Sequence, residues 1–92
     1  MRLVLIEWID SYGCSSTWEN LEGCKPSIMS CKSVGWLVHD GDDCKTVVPH
    51  IANGAQQGCG DMTIPTCAIT RLVDLGVPED HDEKYANTNW SD

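Results

Sequence analysis

Apolar residues gather in five short stretches, separated by polar, glycine-rich or proline-broken segments. Residues 3–9, LVLIEWI, are β-rich and apolar and alternate from Ile6 to Trp8, which predicts a first strand. The segment 10–27 is polar and contains Gly13, Gly23 and Pro26, so it reads as a long first loop. Within it, STWE places Ser16 three residues before Glu19, a capping-box spacing that predicts one helical turn ending at Gly23. Either this loop carries Trp18 into a binding surface, or it is a lid whose Trp18 and Leu21 plug one end of the core, the reading preferred for the loop taken alone. Residues 28–39, IMSCKSVGWLVH, form the longest strand candidate. Ile28, Val34, Trp36 and Val38 share one parity; Met29, Cys31, Leu37 and His39 share the other. Gly35 interrupts the middle, where a missing side chain permits a bend or a close backbone approach.

DGDD, residues 40–43, carries an Asp-Gly hairpin signal, and CKTVVPHI, residues 44–51, returns antiparallel. Pro49 has no N–H for a ladder, so the far end of that strand belongs at an edge or bulge. ANGAQQG, residues 52–58, is a loop, and CGDMTI, residues 59–64, a short fourth strand that Pro65 stops. PTCA fits one 3₁₀ turn, and AITRLVDL, residues 68–75, a fifth strand. This order is that of a small all-β, five-stranded, Src-homology-3-like barrel. Residues 1–75 form its one domain, with a long first loop and a 3₁₀ turn before the last strand. The Ile64-Pro65 break is then the corner where the chain crosses between sheets. Residues 76–92 are acidic, polar and without pattern, a mobile tail.

Charge changes the picture next. Fourteen acidic residues against six basic ones leave a formal net charge of −8. Binding to DNA or RNA depends on Lys and Arg displacing counterions from phosphates, and the six here are scattered, which argues against a nucleic-acid polymer or an anionic membrane. A single anionic pocket or a basic protein partner remains compatible with this charge. The apolar run Leu3–Ile6 is cut by Glu7 and followed by Asp10, too short for a signal peptide, and nothing approaches a membrane span of about 20 apolar residues. The expectation is a soluble, intracellular protein. Six cysteines (Cys14, Cys24, Cys31, Cys44, Cys59, Cys67) would suggest disulfides in a secreted chain; in the cytosol they are expected to be reduced and mostly packing.

Candidate chemistry is thin. The cysteines are spaced by 10, 7, 13, 15 and 8 positions, without the close pairs of a structural zinc site, which leaves only ligands assembled across strands with His39, His50 or His81. DGDD lacks the further ligands of a calcium loop. Cys59 between Gly58 and Gly60 would become a thiolate if His39 or His50 lay beside it, but no nucleophile, base and orienting residue can be named together. The reading is therefore a binding protein, not an enzyme, with no cofactor. Trp8, Trp18, Trp36 and Tyr12 are many large aromatics for a small domain that lacks Phe. Trp36 is expected in the core, and Tyr12 and Trp18 on a surface.

IEWIDS (residues 6–11), VGWLVHDGDD (34–43) and MTIPTCAITRLVDL (62–75) resemble a family of short proteins encoded by tailed phages and prophages, over residues 4–75. That family is defined by its pattern and not by an activity, so the resemblance implies a setting, a phage gene expressed in the host bacterial cytoplasm. In that setting the expected function is a phage accessory protein that binds without cleaving, in its most specific form an anti-defence protein sequestering a nucleotide-derived immune signal. Tyr12 or Trp18 would stack on a base, and Arg71, Lys25 or Lys32 would hold a phosphate. So small a domain would form such a pocket between subunits, which implies a homo-oligomer. The alternative is a module that engages a host or phage protein through aromatic loops on an acidic surface. The ALYDY marker of proline-recognising Src-homology-3 domains is absent.

Overall fold

A computed structural model describes residues 1–76. Its strands are β1 (Arg2–Ser11), β2 (Ile28–Asp40), β3 (Cys44–Val48), β4 (His50–Ala52), β5 (Gln57–Cys59), β6 (Met62–Pro65) and β7 (Ile69–Asp74). Two 3₁₀ turns, Leu21–Gly23 and Thr66–Ala68, complete the described elements. The described residues are all-β: a five-stranded antiparallel sheet in the order β6-β3-β2-β1-β7, and a separate two-stranded ribbon, β4-β5. The tail expected over 76–92 lies outside the described residues apart from Gly76.

The sheet is curled, and the connection from β6 to β7 requires it. These strands are the two edges, and only Thr66–Ala68 separates them. From Pro65 to Ile69 the chain reaches at most about 14 Å, whereas the edges of a flat five-stranded sheet lie about 19 Å apart. The expected 3₁₀ turn is thus in place. It is tied to the β2–β3 turn by Thr66 N–H donating to the Asp43 carbonyl (2.9 Å) and Thr66 Oγ1 to the Gly41 carbonyl (3.3 Å).

Val4, Ile6, Leu37, Val47 and Ile64 fill the space inside the curl, with Trp8, Ala68, Ile69 and Leu72 packed against them. Val4 and Ile6 are even-numbered on β1, and their cross-strand partners Gly35 and Ser33 are odd-numbered on β2, as strand alternation demands. The Trp8 indole N–H reaches the Ser33 hydroxyl at 3.0 Å, so its polar edge is satisfied where its ring meets the core. Gly35 is required: a Cβ there would lie 2.8 Å from the Val48 carbonyl oxygen.

Several expectations are corrected. The strand expected over 44–51 stops at Val48, because Pro49 turns the chain out of the sheet; His50–Ala52 then pairs with Gln57–Cys59. The fourth strand expected over 59–64 is divided at Gly60, whose φ of +80° breaks extension, and resumes as Met62–Pro65. The capping box does not form at Ser16. Ser15 Oγ donates to Glu19 Oε1 at 2.8 Å, and Asn20 Oδ1 caps the turn Leu21–Gly23 by accepting from Glu22 N–H at 3.1 Å. Trp18 is fully exposed and Leu21 is 83% exposed, so this loop does not plug the core. The reason is the length of the β1–β2 ladder, which continues to Ser11 opposite Ile28 after β7 has ended at Ile69 opposite Trp8, carrying the loop away from the curl. Trp36 is half-buried, on the face opposite the core.

Candidate functional site

The side of the sheet turned away from the core is also apolar. Directly opposite residues of antiparallel strands point to one face. Leu3 faces Trp36, which in turn faces Val48; Leu5 lies between Val34 and Val73. These side chains, with Ile9 and Val38, belong to the parity that does not enter the core. Val34 is 55% and Val38 45% exposed, and Leu3, Leu5, Trp36 and Val73 are half-buried. The ribbon covers part of this face. Val48 is buried there, and a Cβ on Gly58 would touch both of its methyl groups at 3.4 Å. Between sheet and ribbon lies an open concavity of 420 Å³ bounded by Met1, Val38, Val48 and Ile51.

A row of charge crosses this outer face. Glu7 on β1 sits opposite Lys32 on β2 and opposite Arg71 on β7, with carboxylate-to-cation distances of 3.6 Å to each. Alternation therefore explains Arg71, whose parity it shares with Val73: it leaves the strand on the outer side, exposed. The row leaves one uncompensated positive charge in the middle of an apolar surface, on a chain whose total is −8.

Of the expected site residues, Lys32 and Arg71 are brought together, over Glu7. Tyr12, Trp18 and Lys25 lie in the connection beyond the β1–β2 arm, in which every residue from Asp10 to Ser30 is exposed, so no side chain of that stretch is enclosed. Glu7 was missed by sequence reading; its signal was the single charge inside LVLIEWI.

The thiols take a different place from the one expected. All six are free; Cys14, Cys24, Cys59 and Cys67 are exposed, Cys31 and Cys44 are intermediate, and none belongs to the core. His50 and Cys59 are direct cross-strand partners on the ribbon and line a concavity of 450 Å³. No side-chain hydrogen bond joins them, and among the described residues no three His, Cys, Asp or Glu side chains gather as metal ligands. No helix of the described residues is long and apolar enough to cross a membrane.

At the end of the sheet, Arg2 bonds Asp74 (2.8 Å) and approaches Asp40 (3.7 Å), which also takes a hydrogen bond from Lys45. The Lys45 hydrogen bond holds Asp40 below the usual carboxylate range, and the Arg2 hydrogen bond does the same for Asp74.

The chain matches no family model, no curated protein and no solved structure.

Proposed function

We propose that this chain is a non-catalytic binding module that docks a protein partner on the outer face of its sheet. One observation carries the reading: the sheet is apolar on both sides, and among the described residues only the small ribbon covers the outer one. Apolar surface concentrated this way marks an interaction site. Its makeup is that of an interface core, with Trp36, Leu5, Val34 and Val73 at the centre and charge confined to one row. The partner is an apolar surface with a carboxylate to meet Lys32 and Arg71 and a basic rim to meet the acidic remainder of the chain. The strand order and the 3₁₀ corner support a Src-homology-3-like barrel as the scaffold, and the resemblance to phage-encoded proteins supports an accessory role in an infected bacterial cytoplasm.

The test uses tagged full-length chain as bait in bacterial lysate. A protein retained by the wild type and by Trp18→Ala, and lost by Val34→Glu, supports docking on this face. Retention by Val34→Glu removes the face from the interaction.

The convergence of Lys32 and Arg71 favours a second reading, sequestration of a nucleotide-derived signal whose phosphate would displace Glu7 between them. Native mass spectrometry separates the two. A small mass that leaves unchanged on denaturation, and is lost in Arg71→Ala, supports capture of a signal; an apo mass returns the case to a protein partner.

A further inference from the structure

The open edge of β2 has a partner of defined geometry. The Leu75 N–H donates to the Leu3 carbonyl at 2.8 Å, so the main-chain groups of Leu3 point toward β7. Main-chain groups alternate between the two sides of a strand, so the even residues of β1 bond β2. Their partners are the odd residues of β2: Met29, Cys31, Ser33 and Gly35. The even residues Ile28, Ser30, Lys32 and Val34 therefore turn their N–H and C=O groups to the other side. There β3 pairs only from Trp36 onward, and Pro49 takes the chain away. Among the described residues this is a seven-residue unpaired edge, with Ile28 65% and Val34 55% exposed, the kind of edge that recruits another strand.

We propose that this edge joins a second copy of the chain, antiparallel, about a two-fold axis through Cys31. In this register Ile28 lies opposite the partner's Val34, and Lys32 opposite the partner's Ser30. Each free N–H and C=O of the four even residues then meets one from the other copy, and the two five-stranded sheets become continuous. Interfaces of this two-fold kind are the commonest in oligomers. Charge selects the same edge. Two copies of net charge −8 repel, yet from Gly23 to His39 there is no carboxylate, only Lys25 and Lys32. The two Lys32 side chains become diagonal neighbours across the axis, each already 3.6 Å from the Glu7 of its own copy. Among the edge-facing even residues, Ile28 pairs with Val34 and Lys32 with Ser30, so no like charges lie directly opposite each other.

The axis also sets one thiol against its copy. Cys31 bonds β1 and not the open edge, so Cys31 opposite the partner's Cys31 is a non-hydrogen-bonded pair, with Cα atoms about 4.5 Å apart. That lies within the span a disulfide accepts, about 4.4–6.8 Å. A low-molecular-weight disulfide would lock the dimer: one Cys31 thiolate attacks it and releases a thiolate, and the second Cys31 thiolate displaces the other half. Two protein thiols are oxidised, and one disulfide is reduced to two thiols.

The test is the mass of the full chain in reducing buffer by analytical ultracentrifugation at tens of micromolar. The expected result is twice the 10.1 kDa chain mass. Ser30→Pro removes an N–H that faces only the open edge, so it gives a monomer with an unchanged circular dichroism spectrum. Val34→Asp, which places charge against the partner's Ile28, gives the same monomer. After treatment of the wild type with glutathione disulfide, a non-reduced peptide map is expected to show Cys31 linked to Cys31 as the dominant cross-link. A wild-type monomer, a dimer that survives both variants, or a cross-link dominated by Cys14, Cys24, Cys59 or Cys67 overturns the proposal.

Discussion

The two faces of the sheet are built from the same strands and nearly the same residue types, yet only one is a core. On the inner face Val4 and Ile6 are wholly inaccessible, because the curl brings Leu37, Val47 and Ile64 over them. On the outer face Leu5, Val34 and Val73 make an equivalent cross-strand trio, but β4 and β5 reach only as far as Val48. Hydrophobic pattern therefore identifies which residues lie on a common face; chain closure decides which face loses its water. Among the described residues the outer face stays partly open to water for want of that closure.

The widest separation between the faces is expected from truncation. Ile6→Ala opens a cavity in the closed face and lowers stability by about 2–5 kcal/mol. Val38→Ala on the open face, away from the β2 edge, changes it by less than about 0.5 kcal/mol. Urea denaturation of both variants measures the contrast, and equal losses would mean that the outer face is covered in the isolated chain. Next comes the junction of β2 with β3 inside the sheet. Gly35→Ala pushes a methyl group against the Val48 carbonyl and costs about 1–3 kcal/mol, comparable to overpacking a core. Wild-type stability in that variant would show that β3 moves aside freely.

A smaller effect tests the inner face where polarity enters it. Trp8→Phe keeps a ring against the core and removes the indole hydrogen bond to Ser33, for an expected loss of about 0.5–1.5 kcal/mol. Ser33→Ala in the same background is expected to add less than it does alone, since both changes delete one bond; a double-mutant cycle reads that coupling.

Strand positions were legible from alternation and turn chemistry. IEWI lies within β1, and DGDD and the Ile64-Pro65 corner mark real boundaries, because each is a local preference that the fold uses. The assignment of faces was not legible. β2 offers two apolar parities, and the one richer in large side chains (Ile28, Val34, Trp36, Val38) turns outward. Only pairing with the even residues of β1 decides this, and register is a long-range property. Pro49 was read as an edge or bulge inside a strand running to Ile51, but the ribbon beyond it depends on a turn at Asn53–Gln56 with positive φ at Asn53, Gly54 and Ala55. Ala55 gives no signal for that conformation. For the candidate site, Lys32 and Arg71 were singled out separately; Glu7, which joins them, appears only when three strands are laid side by side.

The smallest effect concerns the end of the sheet, where neither face is apolar. Asp40 is lowered by its hydrogen bond from Lys45, with the charges of Arg2 and His39 acting in the same direction. Asp74 is lowered by its hydrogen bond from Arg2 and by the Gly76 N–H. Both start from an ordinary value of 3.8. A carboxylate with a lower pKa in the folded state binds fewer protons there than in the unfolded chain. The stability it contributes is complete above the unfolded value and is lost as pH falls below 3.8 toward the folded values. Both groups are exposed and their partners are screened by water and salt, so the expected change is a shallow decline in melting temperature below that pH, weaker in added salt. Arg2→Gln flattens it by removing a partner of both carboxylates at once. The inner face, which has no ionisable group in its cluster, keeps its contribution throughout the same range. A decline unchanged by Arg2→Gln would place the acid sensitivity elsewhere, with Glu7 on the outer face as the next carboxylate to substitute.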